Sequence, residues 1–163
     1  MISQDRLHAL FIYEPETGVF IRRVTLCGRA VEGSIAGTLK TDGYVVITVD
    51  GYRYPAHRLA WFYMTGAWPK ADTDHINGLR SDNRFSNLRE ATRSENQQNQ
   101  KRARSNNKLG VLGVRQHSCG RFEASIKTTG RWCSLGLFAS ADEASGAYLV
   151  AKAKQHPFQT LVA

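Results

Sequence analysis

A carboxylate, an imidazole and several side-chain amides are concentrated between residues 74 and 96. Asp74 and His75 are adjacent, Asn87 follows His75 by 12 residues, and Asn96 follows Asn87 by 9 residues. Carboxylate and amide oxygens are ligands that hard divalent cations accept, and an imidazole with a pKa of about 6.5 is mostly neutral at pH 7. Such side chains could together bind a cation and deprotonate a water molecule for hydrolysis.

Four sequence elements in register resemble the His-Asn-His (HNH) endonuclease family, in the branch where the last His is replaced by Asn. The elements are Ala56-His57-Arg58-Leu59-Ala60-Trp61, Asp74-His75-Ile76-Asn77-Gly78, Ser81-Asp82-Asn83-Arg84-Phe85-Ser86-Asn87-Leu88-Arg89 and Ser94-Glu95-Asn96. The resemblance covers most of residues 12–100. It extends to phage and intron-encoded homing endonucleases, and it implies hydrolysis of phosphodiester bonds in DNA.

The resemblance also implies a role for each of the polar residues. In this family the motif folds as two strands and a helix around one divalent cation, Mg²⁺ or Mn²⁺. Asp74 and Asn96 are then the metal ligands, and two protein oxygens leave such an ion several positions for water and phosphate. His75 is the general base, on the opposite face of the strand from Asp74. Asn87 ties the loop by hydrogen bonds and holds the His75 ring.

Each of these residues also has an ordinary structural explanation. His75 could be a strand histidine bonded to a backbone carbonyl, Asn87 a turn residue, and Asn96 a surface amide. Asn99, three residues further along the same helix, is the rival metal ligand. His57 could approach the site or be purely structural. Phosphate contact and a solvated surface are equally open for three arginines: Arg58, Arg89 and Arg93.

The elements that must position these residues begin with a short helix over residues 3–12, with Ser3 as its N-cap. Strands are predicted at residues 19–21, 44–49 and 52–54, separated by Gly-containing turns. A second helix is predicted over residues 57–64, and it ends at Gly66. These elements form the β-rich N-terminal part of the predicted nuclease domain.

The positive charge of the chain is concentrated after residue 96. Residues 1–96 carry 12 Lys/Arg and 11 Asp/Glu, whereas residues 97–163 carry 10 Lys/Arg and 3 Asp/Glu. This uneven charge indicates a polyanionic partner, although a basic surface that serves only solubility gives the same composition. The three cysteines are predicted to be free thiols, because they form no C-x-x-C pair.

Three short strands and a helix are predicted after a basic linker. The strands are residues 113–116, 121–126 and 131–136, and a capping box from Ser140 to Glu143 opens the helix, which stops before Pro157. This pattern is similar to the AP-two type (ethylene-response-factor) DNA-binding domain, which implies a sheet that lies in the DNA major groove. The predicted DNA contacts are Arg115, Arg121, Glu123, Lys127, Arg131 and Trp132 on the sheet, and Lys101, Arg102 and Arg104 in the linker.

The sequence therefore predicts an α+β protein with a ββα-metal nuclease motif and a small three-stranded antiparallel sheet packed on one helix. The predicted limits are 1–100 for the nuclease domain (motif core 57–99), 101–106 for the linker and 107–163 for the DNA-binding domain. Expected partners are a divalent cation and double-stranded DNA, with a monomer favoured and no membrane contact. The expected location is the cytoplasm, with a phage-encoded protein acting in its host cell. The alternatives are a non-enzymatic DNA-binding protein on a decayed nuclease scaffold, and a nuclease for RNA or without sequence preference.

Overall fold

A computed structural model describes residues 2–28, 30–103, 105–128, 130–156 and 158. The chain forms two compact units, residues 1–93 and residues 94–163. The predicted linker residue Arg104 lies outside the described residues. Among those that are described, no helix is long and apolar enough to cross a membrane.

The first helix, α1 (Gln4–Leu10), confirms the predicted N-cap. The Ser3 hydroxyl accepts a hydrogen bond from the backbone N–H of Arg6 at 3.2 Å. The predicted helix end at residue 12 is wrong, because Phe11 already pairs with Arg22 in a strand ladder. Backbone pairing between distant segments overrides the local helical pattern at this point.

Two small antiparallel sheets follow in the first unit. The first sheet has the order β1-β2-β3 and the second has the order β4-β5-β6. Their strands are β1 (Phe11–Glu14), β2 (Val19–Arg22), β3 (Ile35–Ala36), β4 (Thr38–Leu39), β5 (Val45–Val49) and β6 (Tyr52–Pro55). The buried side chains of both sheets share one core with α1 and the next helix, among them Leu7, Phe11, Phe20, Ile47 and Leu59.

Helix α2 (Ala56–Thr65) begins directly after β6 and buries His57 on its inner face. Gly66 ends it in the left-handed conformation, with φ of 73°, as the sequence predicts. A two-stranded antiparallel sheet then forms from β7 (Asp72–His75) and β8 (Leu88–Ala91). A 3-10 turn (Phe85–Asn87) precedes β8.

Helix α3 (Arg93–Gln98) follows β8, so the order strand, strand, helix is the predicted one. The division between the two units falls after Arg93, at the start of this helix. Asn96 is half-buried, and Asn99, just after the helix, is buried. The expected mixture of helices and small antiparallel sheets is confirmed for the described residues.

The second unit contains a three-stranded antiparallel sheet of order β11-β10-β9 and one long helix. Its elements are β9 (Val114–Gln116), β10 (Phe122–Thr128), β11 (Arg131–Phe138) and α4 (Ala141–Gln155). The core lies between the sheet and the helix and includes Ile126 and Tyr148. Ser140 caps α4 by accepting the Glu143 N–H at 3.2 Å. The predicted sheet packed on one helix is therefore present.

Candidate active site

Strand β7 presents Asp74 and His75 as neighbours whose side chains leave opposite faces of the strand. Both residues are buried, with 7% and 4% of their surfaces exposed. In the ladder with β8, Asp74 pairs with Arg89 and His75 pairs with Leu88. Each side chain therefore meets a different environment.

The Asp74 carboxylate forms an ion pair with the cross-strand residue Arg89. The Nε and Nη2 atoms of Arg89 donate to Oδ2 of Asp74 at 3.1 and 2.9 Å. A buried carboxylate needs such a partner, because removal from water disfavours its charge. The ion pair provides an opposite charge for a carboxylate that is almost completely removed from water.

The His75 imidazole lies in a small cluster of rings and amides. Its Nε2 atom is 3.3 Å from Oδ1 of Asn83, and the Asn83 amide is oriented by donating from Nδ2 to the Ser81 carbonyl at 3.1 Å. Since an amide oxygen can only accept, Nε2 carries the ring proton and the lone pair lies on Nδ1. Burial, only partly offset by the bond to Asn83, lowers the pKa of His75. The ring is therefore neutral at pH 7.

Asn87 does not hold the His75 ring, contrary to the prediction for its second role. Its Oδ1 accepts the backbone N–H of Asn77 at 2.9 Å, and its Nδ2 donates to the carbonyl of Asp82 at 2.8 Å. These bonds close the loop of residues 76–87, here called the site loop. The predicted loop-tying role of Asn87 thus agrees with these contacts, whereas the ring contact is made by Asn83.

Asp82 fastens the site loop at a second point. Its carboxylate accepts from Asn77 Nδ2 at 2.7 Å and pairs with Arg84, whose Nη2 lies 2.6 Å from Oδ2. Mainly through the Arg84 hydrogen bond, the pKa of Asp82 is lowered to about 2. The loop that carries Asn83 therefore has internal polar bonds on both sides of this residue.

The hairpin β1–β2 supports the site loop from outside. The Tyr13 hydroxyl donates to the Asn83 carbonyl at 2.7 Å, and the Phe85 N–H donates to the Pro15 carbonyl at 3.1 Å. Gly18, with φ of 74°, packs so closely that an added Cβ would overlap the backbone of Asn83 and Arg84. The position of Asn83, and with it the His75 ring, depends on this hairpin.

Replacing Gly18 by alanine should destabilise the first unit by about 3 kcal/mol, from backbone overlap and a left-handed φ together. The measurement is the urea unfolding midpoint at unchanged m-value. The matched control is Gly33→Ala, because Gly33 has φ of 77° and open space around its missing Cβ. The control should be destabilised only by the cost of a left-handed φ at a residue with a Cβ, about 1 kcal/mol. Equal losses in both variants would contradict the close contact.

His57 brings a second neutral imidazole against His75. The two rings meet edge to face with centroids 5.0 Å apart, and the Tyr44 ring lies 5.2 Å from His57 and 6.0 Å from His75. Nδ1 of His57 is buried and has no hydrogen-bond partner within the part of the chain that is described. Burial, and secondarily the neighbouring His75, lower the pKa of His57 to about 3.

The lowered pKa of His57 predicts loss of stability in acid. Between its folded pKa of about 3 and the ordinary value of about 6.5, the unfolded chain binds a proton that the folded chain rejects. Stability should therefore fall as the pH drops through this window, by about 1.4 kcal/mol per pH unit for each such histidine. Urea unfolding at several pH values measures this slope. In the His57→Phe variant, the unfolding free energy should depend less steeply on pH, because one fewer proton is taken up on unfolding. An unchanged slope of unfolding free energy against pH would refute the assignment.

Asp74 is the candidate metal ligand that the first unit contributes. Its hard, charged oxygens suit Mg²⁺, which keeps several water ligands and needs few protein oxygens. Among the described residues, no three His, Cys, Asp or Glu side chains are grouped to hold a metal ion. The proposed set of one carboxylate and one amide does not require such a group. The donor chemistry of Asp74 thus fits the cation that the sequence implies, whereas the predicted second ligand, Asn96, belongs to the second unit.

The candidate DNA-binding side chains of the second unit divide between the two faces of its sheet. Strand pairing places Arg115 opposite Glu123, and Lys127 opposite Trp132. Directly paired residues share a face, so these four lie on the outer face, away from the core residues of β10. Arg131 pairs with Thr128 and belongs to the opposite face. Of the predicted contacts on this hairpin, Arg131 and Trp132 therefore lie on different faces of the sheet.

Glu123 is bound to its neighbours on this outer face. Its Oε2 accepts from Arg115, with Nη2 at 2.7 Å and Nε at 2.8 Å, and its Oε1 accepts from the Ser134 hydroxyl at 3.0 Å. The first of these contacts, and then the second, lower the pKa of Glu123. Glu123 therefore orients Arg115 and offsets one of its charges.

The other predicted contacts are exposed where they are described. Trp132 is 71% exposed, and Arg121 is exposed with Nη2 bonded to the Leu137 carbonyl at 2.8 Å. Lys101 and Arg102 are exposed on irregular backbone, whereas Arg104 lies outside the described residues.

Sequence reasoning missed several neighbours of Asp74 and His75. The ring contact of Asn83, the closeness of Tyr44 and the ion pair of Arg89 all link segments distant in sequence or depend on the direction of a turn. The alternation of β7 and β8 could have placed Arg89 and Asp74 on one face. No local signal identifies Tyr44.

Comparison with known proteins gives one finding. The model of a family described as HNH endonuclease matches residues 54–98. No curated protein and no solved structure matches the chain. The matched segment runs from the end of β6 to the end of α3 and includes Asp74, His75 and the site loop. The segment that carries the candidate site is therefore similar in sequence to HNH endonucleases, which supports a nuclease.

Proposed function

We propose that this protein is a metal-dependent endonuclease that hydrolyses phosphodiester bonds of duplex DNA. The observation that carries the proposal is a neutral imidazole, His75, adjacent to a buried carboxylate, Asp74, inside the segment matched by the HNH endonuclease family. Phosphodiester hydrolysis needs a base for the attacking water and charge stabilisation at the phosphate. This pair of residues supplies the base and a ligand for the cation.

In the proposed reaction, Nδ1 of His75 accepts a proton from the attacking water. Asn83 supports this role, because its amide oxygen accepts from Nε2 and fixes the tautomer. Asp74 and Asn96 would hold Mg²⁺ or Mn²⁺, which when bound polarises the phosphate and stabilises the leaving oxygen. Asn87 keeps the site loop closed beneath the substrate.

A single site of this kind cuts one strand in each event, so the monomer should nick DNA. The test is conversion of supercoiled plasmid to the open-circular form, with Mg²⁺ and with a chelator. Nicking that requires Mg²⁺ or Mn²⁺ supports the proposal. Duplex binding without nicking in either metal would instead favour the alternative, a non-enzymatic DNA-binding protein on a nuclease scaffold.

We also propose that the outer face of the second unit's sheet binds the DNA duplex, in the manner of AP-two type domains. The support is an exposed face with Arg115, Lys127 and Trp132, in which Glu123 is satisfied by Arg115 and does not confront phosphate. Arginine can reach base edges or phosphates, whereas lysine mainly anchors phosphate. The linker residues Lys101 and Arg102 would add contacts to the phosphate backbone of the DNA.

Two single-charge variants on opposite faces test this surface. Replacing Lys127 by alanine should reduce the slope of log binding constant against log salt by about 0.9, the value for one lost phosphate contact. Arg131→Ala removes the same charge from the other face and should leave the slope unchanged. Binding is measured by fluorescence anisotropy on a duplex, with single-stranded DNA and RNA as competitors. Equal effects of the two variants would refute the assignment, and stronger competition by RNA would favour an RNA nuclease.

A homing role in a phage genome, inside the cytoplasm of a host cell, follows from the resemblance to phage homing enzymes. The sequence motifs described above support this proposal. Mapping the nick on DNA from candidate host genomes tests it, since a homing enzyme should cut at one preferred site.

A further inference from the structure

Arg80 extends from the site loop to the turn between β4 and β5. Its Nη1 donates to the carbonyl of Asp42 at 2.8 Å, and its Cζ lies 4.9 Å from the centre of the Tyr44 ring. Gly43 has φ of 89°, and a Cβ there would lie 3.7 Å from the Cβ of Arg80. The turn thus packs along the stem of Arg80 and holds its guanidinium against an aromatic face.

The Tyr44 ring is close to both the Arg80 guanidinium and the His75 imidazole. The centre of its ring is 6.0 Å from that of His75, so a single aromatic ring separates the Arg80 guanidinium from the imidazole. The fixed guanidinium and the base therefore belong to one continuous cluster of side chains in the first unit.

Within the described part of the chain Arg80 forms no ion pair, whereas two other arginines of this cluster do. Arg84 pairs with Asp82, and Arg89 pairs with Asp74. Arg80 is exposed, and its Nε and Nη2 have no hydrogen-bond partner within the described ranges. The Asp42 carboxylate is engaged by the Tyr44 N–H at 3.2 Å and makes no ion pair with Arg80 among the residues described.

We infer that Arg80 is a phosphate-binding residue, which holds one phosphate of the DNA backbone beside His75. The inference rests on the proposed nuclease function. A planar guanidinium recognises two phosphate oxygens through parallel N–H groups, and Arg80 keeps two such donors. Its stacking on Tyr44 and its bond to Asp42 fix the side chain in advance, which reduces the entropy lost on binding.

The test compares Arg80→Ala and Arg80→Lys with the control Arg53→Ala in the full chain. Arg53 is an exposed arginine of β6 without an ion pair within the described ranges. Binding to a fluorescent duplex is measured in chelator over a range of salt concentrations, so that no cleavage is needed. Arg80→Ala should reduce the log–log salt slope by about 0.9. Arg80→Lys should keep the slope, because it keeps the charge, and Arg53→Ala should match the wild type.

Plasmid nicking in Mg²⁺ gives the second measurement. Arg80→Ala should slow single-turnover nicking by about 10- to 100-fold, the loss typical of one charge-assisted hydrogen bond, and Arg80→Lys should slow it less. A wild-type salt slope in a folded Arg80→Ala variant would overturn the inference. If the wild-type protein binds duplex but never nicks, the nuclease function is refuted. The salt slope of Arg80→Ala then still decides whether Arg80 binds phosphate. Absence of duplex binding by the wild type would refute both.

Discussion

Replacing His75 by alanine should abolish plasmid nicking and leave duplex binding near the wild-type level. A positioned general base contributes about 10²- to 10⁴-fold to the rate, and the ring is held in its neutral form by burial. The binding surface proposed for the second unit does not contain His75. Nicking in Mg²⁺ and anisotropy in chelator measure the two properties on one preparation.

A matched control for this variant is His8→Ala. His8 is a half-buried histidine of the first unit that lies outside the candidate site, and its ring stacks on Tyr63 with centroids 3.9 Å apart. The control should retain nicking. Added imidazole should restore part of the activity of His75→Ala, because the free base can occupy the vacated space. A His75→Ala protein that nicks at the wild-type rate would remove His75 from the base role.

Replacing Asp74 by asparagine should lower nicking by about 10³-fold or more, because a bound cation contributes several kcal/mol to transition-state stabilisation. The loss should be partly relieved by raising the Mn²⁺ concentration, since the amide remains a weak oxygen ligand. Nicking rates over a titration of Mg²⁺ and of Mn²⁺ measure this effect. Chelation of the wild type should give the same loss.

Asp74→Asn removes both the proposed metal ligand and the ion pair with Arg89. A second variant separates these two effects. Arg89→Gln breaks the same ion pair but keeps the carboxylate. If Asp74 binds the cation, Arg89→Gln should keep far more activity than Asp74→Asn, at a similar cost in stability. Equal losses of activity in the two variants would show that Asp74 acts only as the structural partner of Arg89.

Features encoded by neighbouring residues could be predicted from the sequence. Ser3 and Ser140 form the expected N-caps, and Gly66 ends α2 in the expected left-handed conformation. Each of these depends on hydrogen bonds or backbone angles within one helical turn. The motif around Asp74 and His75 was recognisable for the same reason, because its residue types and spacing are local.

Features that depend on the path of the chain between distant segments could not be predicted. Asn83 and Asn87 are two amides of one loop, and only the turn between them decides which one faces His75. The end of α1 moved to Leu10 because Phe11 finds a strand partner 11 residues later. Strand alternation alone places Arg131 and Trp132 on different faces of the sheet, but which face meets the helix depends on the packing of α4.

The bonds from Tyr13 and Pro15 to the site loop bear on how a minimal enzyme could be made. A protein cut to the family segment, residues 54–98, would lose the hydroxyl and the carbonyl that hold Asn83 and Phe85. It would also expose the core face of α2, against which β1 and β2 pack. Truncation and transplantation of this nuclease should therefore retain the N-terminal hairpin, since the family boundary is narrower than the unit that folds.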